Sequence, residues 1–336
     1  MYLFNTLYYL YKKEKRKVLL GVSARLAKEA KKSRLFYICD MVWCSLRYGA
    51  MFAEYDDMDF AFRSAQNRAT ILTTFYNFRL YDKLNQKEYR RQFHDKIKFL
   101  RSFSSMIKRD WVAIEEVSEA QLQDFLNRHK KVVLKKSYGD SGKQVQVKTL
   151  EDNITAEDFR EYTRRNGYDL AEQCIINHPD VGVFNETSLN TVRIATVQIN
   201  GNVDFLFAGL RVGAKGCELD NISQGGAVAR IDLDTGILTS GFLTKRSARR
   251  NAEIAQDQIG YQLPYWEEVK QVAKEAAMVI PEIGFVSWDI CITENGPEII
   301  EGNESFGSTI MQLACSHTEP GLKPKLESIL KNGGMK

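Results

Sequence analysis

Proline and histidine are scarce, at six and four in 336 residues. With 44% hydrophobic and 27% charged residues, so little proline marks a globular rather than a disordered composition. Four scattered histidines give little basis for a Ser–His or Cys–His mechanism. The six cysteines, at positions 39, 44, 174, 217, 291 and 315, include no Cys-x-x-Cys pair. Neither a zinc site nor a disulfide framework is expected from this pattern, and a reducing, cytoplasmic compartment is. Cys39 and Cys44 lie in an apolar, helix-like stretch and read as packed thiols. No apolar run approaches the ~18 residues of a membrane span, which excludes a transporter or receptor. A secretory signal is not expected either, because the apolar start precedes the basic cluster and no small-residue cleavage site follows.

What is present is length enough for two or three lobes and an uneven charge. The net charge is +4, yet residues 1–34 hold ten Lys/Arg against two Glu, so the remainder is acidic by about four charges. Met1 to Leu10 is mostly aromatic or aliphatic, and Lys12-Lys13-Glu14-Lys15-Arg16-Lys17 follows directly. Two readings are open. A basic amphipathic segment can lie on an anionic membrane surface, which would put a cytoplasmic protein at the inner membrane face. Otherwise the helix packs its apolar stripe on the body and solvates its charged face.

Two styles of sequence meet near residue 130. Before it, apolar spacing of three and four predicts helices over 41–48, 60–78 and 89–107. Arg68 to Leu80 alternates at helical spacing, and Ser118-Glu119-Ala120-Gln121 has the form of a capping box opening a helix to Arg128. Beyond 130, Val132-Val133-Leu134-Lys135 reads as a buried strand entering a Gly/Ser loop, and 155–166 as a helix stopped by Gly167. Asn200-Gly201 predicts a hairpin between 190–199 and 203–212. Others are expected around Asp234-Thr235-Gly236 and between 285–293 and 297–302, with an amphipathic helix from Pro264 to about Val279. The predicted class is α+β, without repeats or low-complexity tracts.

The last hairpin carries the most chemistry. Glu301 and Asn303 are two apart and share one strand face. A three-residue loop, Glu294-Asn295-Gly296, with a left-handed glycine pairs Thr293 with Pro297 and brings Asp289 opposite Glu301. Cross-strand Cβ atoms lie about 4.5–5.5 Å apart, so two carboxylates and an amide can hold one hard cation. Oxygen-only ligation favours Mg²⁺, with nucleotide phosphates completing its coordination. The competing reading is a solvated edge of unrelated acids, which the apolar flanks oppose. Lys135 to Lys143 forms a second feature, a lysine-ended strand opening into a small-residue loop able to present N–H groups to phosphates, or an ordinary hairpin. A third is Arg211, whose planar fork suits a transferring phosphoryl group, followed by Asn221 and Gly225-Gly226; a surface arginine with a turn is its alternative.

Taken in order, Asp95-Lys96, Val132 to Lys135 with its loop, Arg211 with Asp220-Asn221 and Gly225-Gly226, and Asp289 with Glu301-Gly302-Asn303 resemble the ATP-grasp superfamily over about 95–310. The similarity is closest to its α-L-glutamate-ligase-like and sugar-transfer-associated groups. Ser188-Leu189-Asn190-Thr191-Val192-Arg193-Ile194, Ser287-Trp288-Asp289 and Leu46-Arg47-Tyr48-Gly49 are particularly like the latter. The resemblance implies an ATP-grasp fold, two α+β lobes holding ATP between antiparallel sheets, with a mainly helical N-terminal region. The corresponding division is 1–94 helical, 95–180 lid lobe with its preceding helix, and 181–336 large lobe with the metal site.

The same resemblance implies roles. Lys96 and Lys135 match the lysines that reach the nucleotide phosphates, and Ser141, Gly142 and Lys143 the loop that closes over them. Glu172, Gln173 and Ile175 match the inter-lobe strand that receives adenine, with ribose contact near Asn177 or Asn190. Arg211, Lys135 and Arg193 are the implied catalytic cations. Asp289, Glu301 and Asn303 match the ligands of one or two Mg²⁺ ions, for which Mn²⁺ can substitute. The implied activity is an ATP-dependent carboxylate–amine ligase working through an acyl phosphate on a surface-polysaccharide, amino-sugar or amino-acid building block. A small-molecule or sugar kinase and a non-catalytic nucleotide-binding partner are the alternatives. Two departures stand out: helices replace the usual Rossmann-like first lobe, and Glu304 follows Asn303 where proline is frequent. Lys245-Arg246-Ser247-Ala248-Arg249-Arg250 reads as a solvated loop, or as the receiver of an anionic acceptor. No recognition-helix pattern accompanies it, so nucleic acid is not an expected partner.

Overall fold

Helical spacing in the first hundred residues produces a run of helices, in a computed structural model that describes residues 2–29, 32–139, 145–217, 220, 222, 225–244, 258–313 and 317–335. Ser141, Gly142, Lys143, Asn221, Cys315 and the basic stretch 245–250 lie outside the described residues. The helices are α1 (Leu3–Tyr11), α2 (Lys13–Glu29), α3 (Arg34–Tyr48), α4 (Phe52–Asp57), α5 (Ala65–Ala69), α6 (Thr74–Leu84), α7 (Arg91–His94) and α8 (Lys96–Ser102). The long helices predicted over 60–78 and 89–107 are broken. Ser64 accepts from Asn67 N and starts α5, and Asp95 accepts from Ile97 N and Lys98 N to start α8. Each side-chain cap satisfies amide donors that a continuing helix would otherwise bond itself, so polar residues reset the helix where periodicity alone runs on. Of the two predicted packed thiols, Cys44 is buried but Cys39 is exposed. Among the described residues, no helix is long and apolar enough to cross a membrane.

The first sheet is four-stranded and antiparallel, ordered β1-β4-β2-β3, from β1 (Trp111–Ala113), β2 (Lys131–Lys135), β3 (Val145–Thr149) and β4 (Leu170–Gln173). Helices α9 (Glu119–Arg128) and α10 (Ala156–Asn166) pack on it through Leu122, Phe125 and Phe159. The predicted capping box at Ser118 and Gln121 opens α9, and Gly167 closes α10.

After the short α11 (Pro179–Gly182), the second sheet is ordered β7-β6-β5-β8-β9. Its strands are β5 (Thr191–Ile199), β6 (Asn202–Val212), β7 (Ala227–Arg230), β8 (Phe285–Thr293) and β9 (Gly296–Asn303), all antiparallel. Residues 237–243, expected as a strand, contribute only isolated bridges. Helix α12 (Trp266–Val279) packs on one face with Val192, Ile194, Trp288 and Ile290. The other face changes character along each strand. On β5, Thr191 and Arg193 precede Ala195, Val197 and Ile199, and with a period of two all five share that face. Its apolar end joins the core of the N-terminal helices and of α14 (Lys323–Asn332), including Tyr37, Phe52, Phe60 and Leu326; α13 (Ser308–Leu313) adds Met311. The polar end is left for the site.

The β8–β9 hairpin brings Asp289 opposite Glu301 by a different path from the one predicted. Gly296 is left-handed, φ 89°, but Thr293 pairs with Gly296 rather than Pro297. A bulge between Asp289 and Ile290 then restores the pairing, with Ile290 opposite Ile299 and Asp289 opposite Glu301. Pro297 cannot donate to the ladder, and the extra residue, Ile300, absorbs the slip.

Candidate active site

A cavity of about 1450 Å³ opens between the two sheets. Lys135 at the end of β2, Arg193 on β5, Arg211 on β6, Asp289 on β8 and Glu301 and Asn303 on β9 all line it. Lys96 joins them from the first turn of α8, where its Nζ donates to Gly139 O at 2.8 Å. Glu172, Gln173 and Ile175 run along the wall, where strand pairing ends at Gln173. Asn177 lines the cavity as well, whereas Asn190 does not. The Asn190 amide is spent on its own loop: it donates to Val181 O at 2.9 Å and accepts from Ser188 Oγ at 2.5 Å. Asn190 is fully buried and holds Asn177, whose Nδ2 donates to its carbonyl at 2.7 Å.

The floor is a web of buried charge. Arg193 donates through Nε and Nη2 to the two Asp289 oxygens, at 2.7 and 2.6 Å, and Arg211 Nη1 donates to Asp289 Oδ2 at 2.7 Å. Burial opposes ionisation of Asp289, but the two guanidiniums outweigh it and hold its carboxyl far below the usual carboxylate range. Arg211 Nη2 also reaches Asp220 Oδ1 at 2.8 Å, and Thr191 Oγ1 donates to Asp220. Burial raises Asp220 against the pull of Arg211, and the nearby Asp289 charge adds to the rise. Asn303 Nδ2 donates to Glu301 Oε1 at 3.1 Å, and Gly302 between them leaves room for the Trp288 and Phe93 rings, which a Cβ there would meet at 2.9 and 3.0 Å.

A hard cation suits this donor set chemically: two carboxylates and an amide on paired strands. The electrostatics differ from an isolated carboxylate pair, because Arg193 and Arg211 already neutralise Asp289. Glu301, half-buried and facing the cavity, is the less committed of the two carboxylates. Arg211 Nε is buried with no hydrogen-bond partner among the described residues. A donor left in that state costs free energy unless a ligand oxygen meets it, so the guanidinium fits a site that receives an anion.

The sequence reading missed the residue that joins the two sheets. Arg109, 2% exposed in its side chain, precedes β1 and spans the gap. Its Nε donates to Glu172 Oε2 at 2.6 Å in the first sheet. Its Nη1 and Nη2 donate to Glu298 Oε1, Ile299 O and Ile300 O at 2.8, 2.5 and 3.1 Å in the second. Glu172 Oε1 pairs with Lys135 Nζ at 2.7 Å, so both its oxygens face cations and an adenine amino group would have to displace one to reach them. Burial again opposes the charge, and Arg109 with Lys135 brings Glu172 down to about 2. A signal was available: Glu298 stands in an otherwise apolar strand segment, and a core-facing carboxylate requires a partner. Also missed was a polar end wall from the helical region, where Tyr81 Oη donates to Glu304 Oε1 and His94 Nε2 meets the same oxygen, both at 2.5 Å.

No curated protein matches the chain. D-cycloserine synthetase DcsG is similar in structure at 14% identity and a TM-score of 0.46, over 84% of this chain and 82% of that one. D-alanyl-alanine synthetase A from Vibrio cholerae gives 13% and 0.43, over 72% and 65%. The D-alanine-D-alanine ligase from Coxiella burnetii gives 13% and 0.38, over 71% and 52%. The chain thus spans less than two-thirds of the length of these last two. Residues 76–331, from α6 to α14, match the family described as sugar-transfer associated ATP-grasp. The match covers most of the chain and takes in both sheets and every site residue named above: the chain belongs to the sugar-transfer associated ATP-grasp family.

Proposed function

We propose that the protein is an ATP-dependent carboxylate–amine ligase, working through an acyl phosphate with Mg²⁺. The observation that carries this reading is the meeting of Lys96, Lys135, Arg193 and Arg211 with Asp289, Glu301 and Asn303 around one cavity. Lys96 and Lys135 are suited to the phosphates of ATP, and Arg211 to the group in transfer, with its Nε ready to donate. Glu301, Asn303 and Asp289 would hold the metal, which when bound supplies charge neutralisation at the phosphate oxygens. Apolar Val133, Val147 and Ile300 offer the adenine a sandwich between the sheets.

In the reaction, a substrate carboxylate oxygen attacks the γ-phosphorus and ADP leaves. An amine then attacks the acyl carbon, phosphate leaves, and the amine loses its proton. The fixed cations stabilise charge in both steps without changing protonation, so positioning and electrostatics supply most of the rate. Gln173 and Ile175 are placed to meet the nucleotide base through the wall they form. Glu172 serves instead to aim Lys135. The end wall of Tyr81, His94 and Glu304 is read as the acceptor side. An amino-sugar or amino-acid building block of a surface polysaccharide is proposed as substrate on the family's description alone.

A screen for phosphate release tests the reading. ADP and phosphate should appear only when ATP, a carboxylate and an amine are all present, and hydroxylamine should trap the intermediate as a hydroxamate. A stable phosphorylated product without free phosphate would replace the ligase with a kinase. ATP binding with no turnover across the screen would leave a nucleotide-binding partner.

A further inference from the structure

Helix α1 has two stripes, and only one is used by the fold. Tyr2, Thr6 and Tyr9, spaced by four and three, anchor it. Tyr2 N donates to Leu46 O at 3.2 Å, Thr6 Oγ1 meets Ser45 Oγ at 2.9 Å, and Tyr9 packs edge-on against Phe52 and Phe75. Thr6 is the buried residue of the helix. The opposite stripe, Phe4, Leu7, Tyr8 and Tyr11, has the i, i+3, i+4, i+7 spacing of an apolar face that ordinarily packs on something. Here it points outward, with Phe4 85% and Tyr11 79% exposed, and Leu7, Tyr8 and Leu3 exposed as well. This departs from a helix that packs its whole apolar stripe on the body.

Charge decides what could cover it. Lys12, Lys13, Lys15, Arg16 and Lys17 follow at once, every one exposed, against the single acid Glu14. Lys12 Nζ lies 5.2 Å from the Tyr8 ring centroid, so cation and apolar groups form one continuous surface. An exposed aromatic stripe beside a block of lysines on a short surface helix matches the interface between lipid headgroups and acyl chains, where rings insert and ammonium groups meet anionic headgroups. A protein partner burying this face would have to supply a matching acidic rim.

We propose that the outward face of α1 and the basic start of α2 dock the protein peripherally on an anionic lipid surface. The inference is independent of the ligase reading, since neither helix lines the cavity. The full chain should co-float with vesicles containing about 30% phosphatidylglycerol in phosphatidylcholine at about 0.15 M salt, and be released at about 0.5 M. Pure phosphatidylcholine should retain at least about tenfold less protein. Phe4→Asp with Tyr11→Asp, and separately Lys12→Glu with Lys13→Glu, should each lower partitioning about tenfold or more while circular dichroism melting stays unchanged. Equal binding to neutral and anionic vesicles, or none to either, overturns the proposal. So does a dimer in lipid-free solution that Phe4→Asp with Tyr11→Asp dissolves, which would assign the face to a second copy of the chain.

Discussion

Arg109→Met is the sharpest perturbation of the inter-sheet clamp. The substitution keeps the apolar stem but removes a guanidinium whose buried partners are Glu172 and Glu298. Glu172 retains Lys135, whereas Glu298 keeps, among the described residues, only backbone donors from Lys108 and Arg109, at 3.2 and 3.3 Å. Removing one member of a buried ion pair costs about 3–5 kcal/mol, because the stranded charge cannot return to water. With a urea dependence of about 3 kcal/mol per molar, suited to a chain of this size, the unfolding midpoint should fall by roughly 1–1.7 M. The penalty should also depend on pH with a fixed sign. Glu172 is held down at about 2, so the stability it contributes is present above its ordinary value near 4.5 and is lost as pH falls through 2. The difference between wild type and variant should therefore shrink between about pH 4.5 and 2. Urea melts at pH 7, 5 and 3 decide it. A penalty below about 1 kcal/mol at pH 7, or one that does not change with pH, would refute the clamp. Adding Glu298→Gln to Arg109→Met should recover part of the loss.

Four further variants separate chemistry from folding. Glu301→Gln should cut ATP turnover at least about 100-fold while leaving the melting temperature unchanged, because the residue faces the cavity; Asp289→Asn should lose turnover and also roughly 3 kcal/mol of stability, since buried Arg193 loses its charged partner and Arg211 is left with Asp220 alone among the described residues. Lys96→Ala should raise the KM for ATP by about ten- to a hundredfold with little effect on folding, measured by steady-state ADP release. Gly209→Ala places a methyl 2.7 Å from the Phe207 ring and 2.8 Å from Val228, and thermal melts should show a loss of about 1–3 kcal/mol.

Local chemistry was legible in the sequence and long-range pairing was not. The capping box at Ser118, the Asn200-Gly201 turn and the glycine after α10 each act within a few residues, and each stands where spacing put it. The Asp289–Glu301 pairing was also readable, although two compensating errors, the turn register and the bulge at Ile300, cancelled. Lys96 and Arg193 came from resemblance, Lys135 and Arg211 also from their places at strand ends, and the structure brings all four to one cavity. Arg109 escaped because its partners lie 63 and 189 residues away and no spacing rule reaches that far. Tyr81 and His94 escaped for a related reason: the helices that carry them look like packing elements until their ends are seen against Glu304.

The large sheet shares one face between two owners, charged groups at one end and the N-terminal helices at the other. Removal of that helical region would uncover Val197, Ile199, Phe207 and Phe285 together. Replacing that region as a module would therefore demand resurfacing of the sheet itself, whereas substitution at the helix ends that bear Tyr81 and His94 leaves this core untouched.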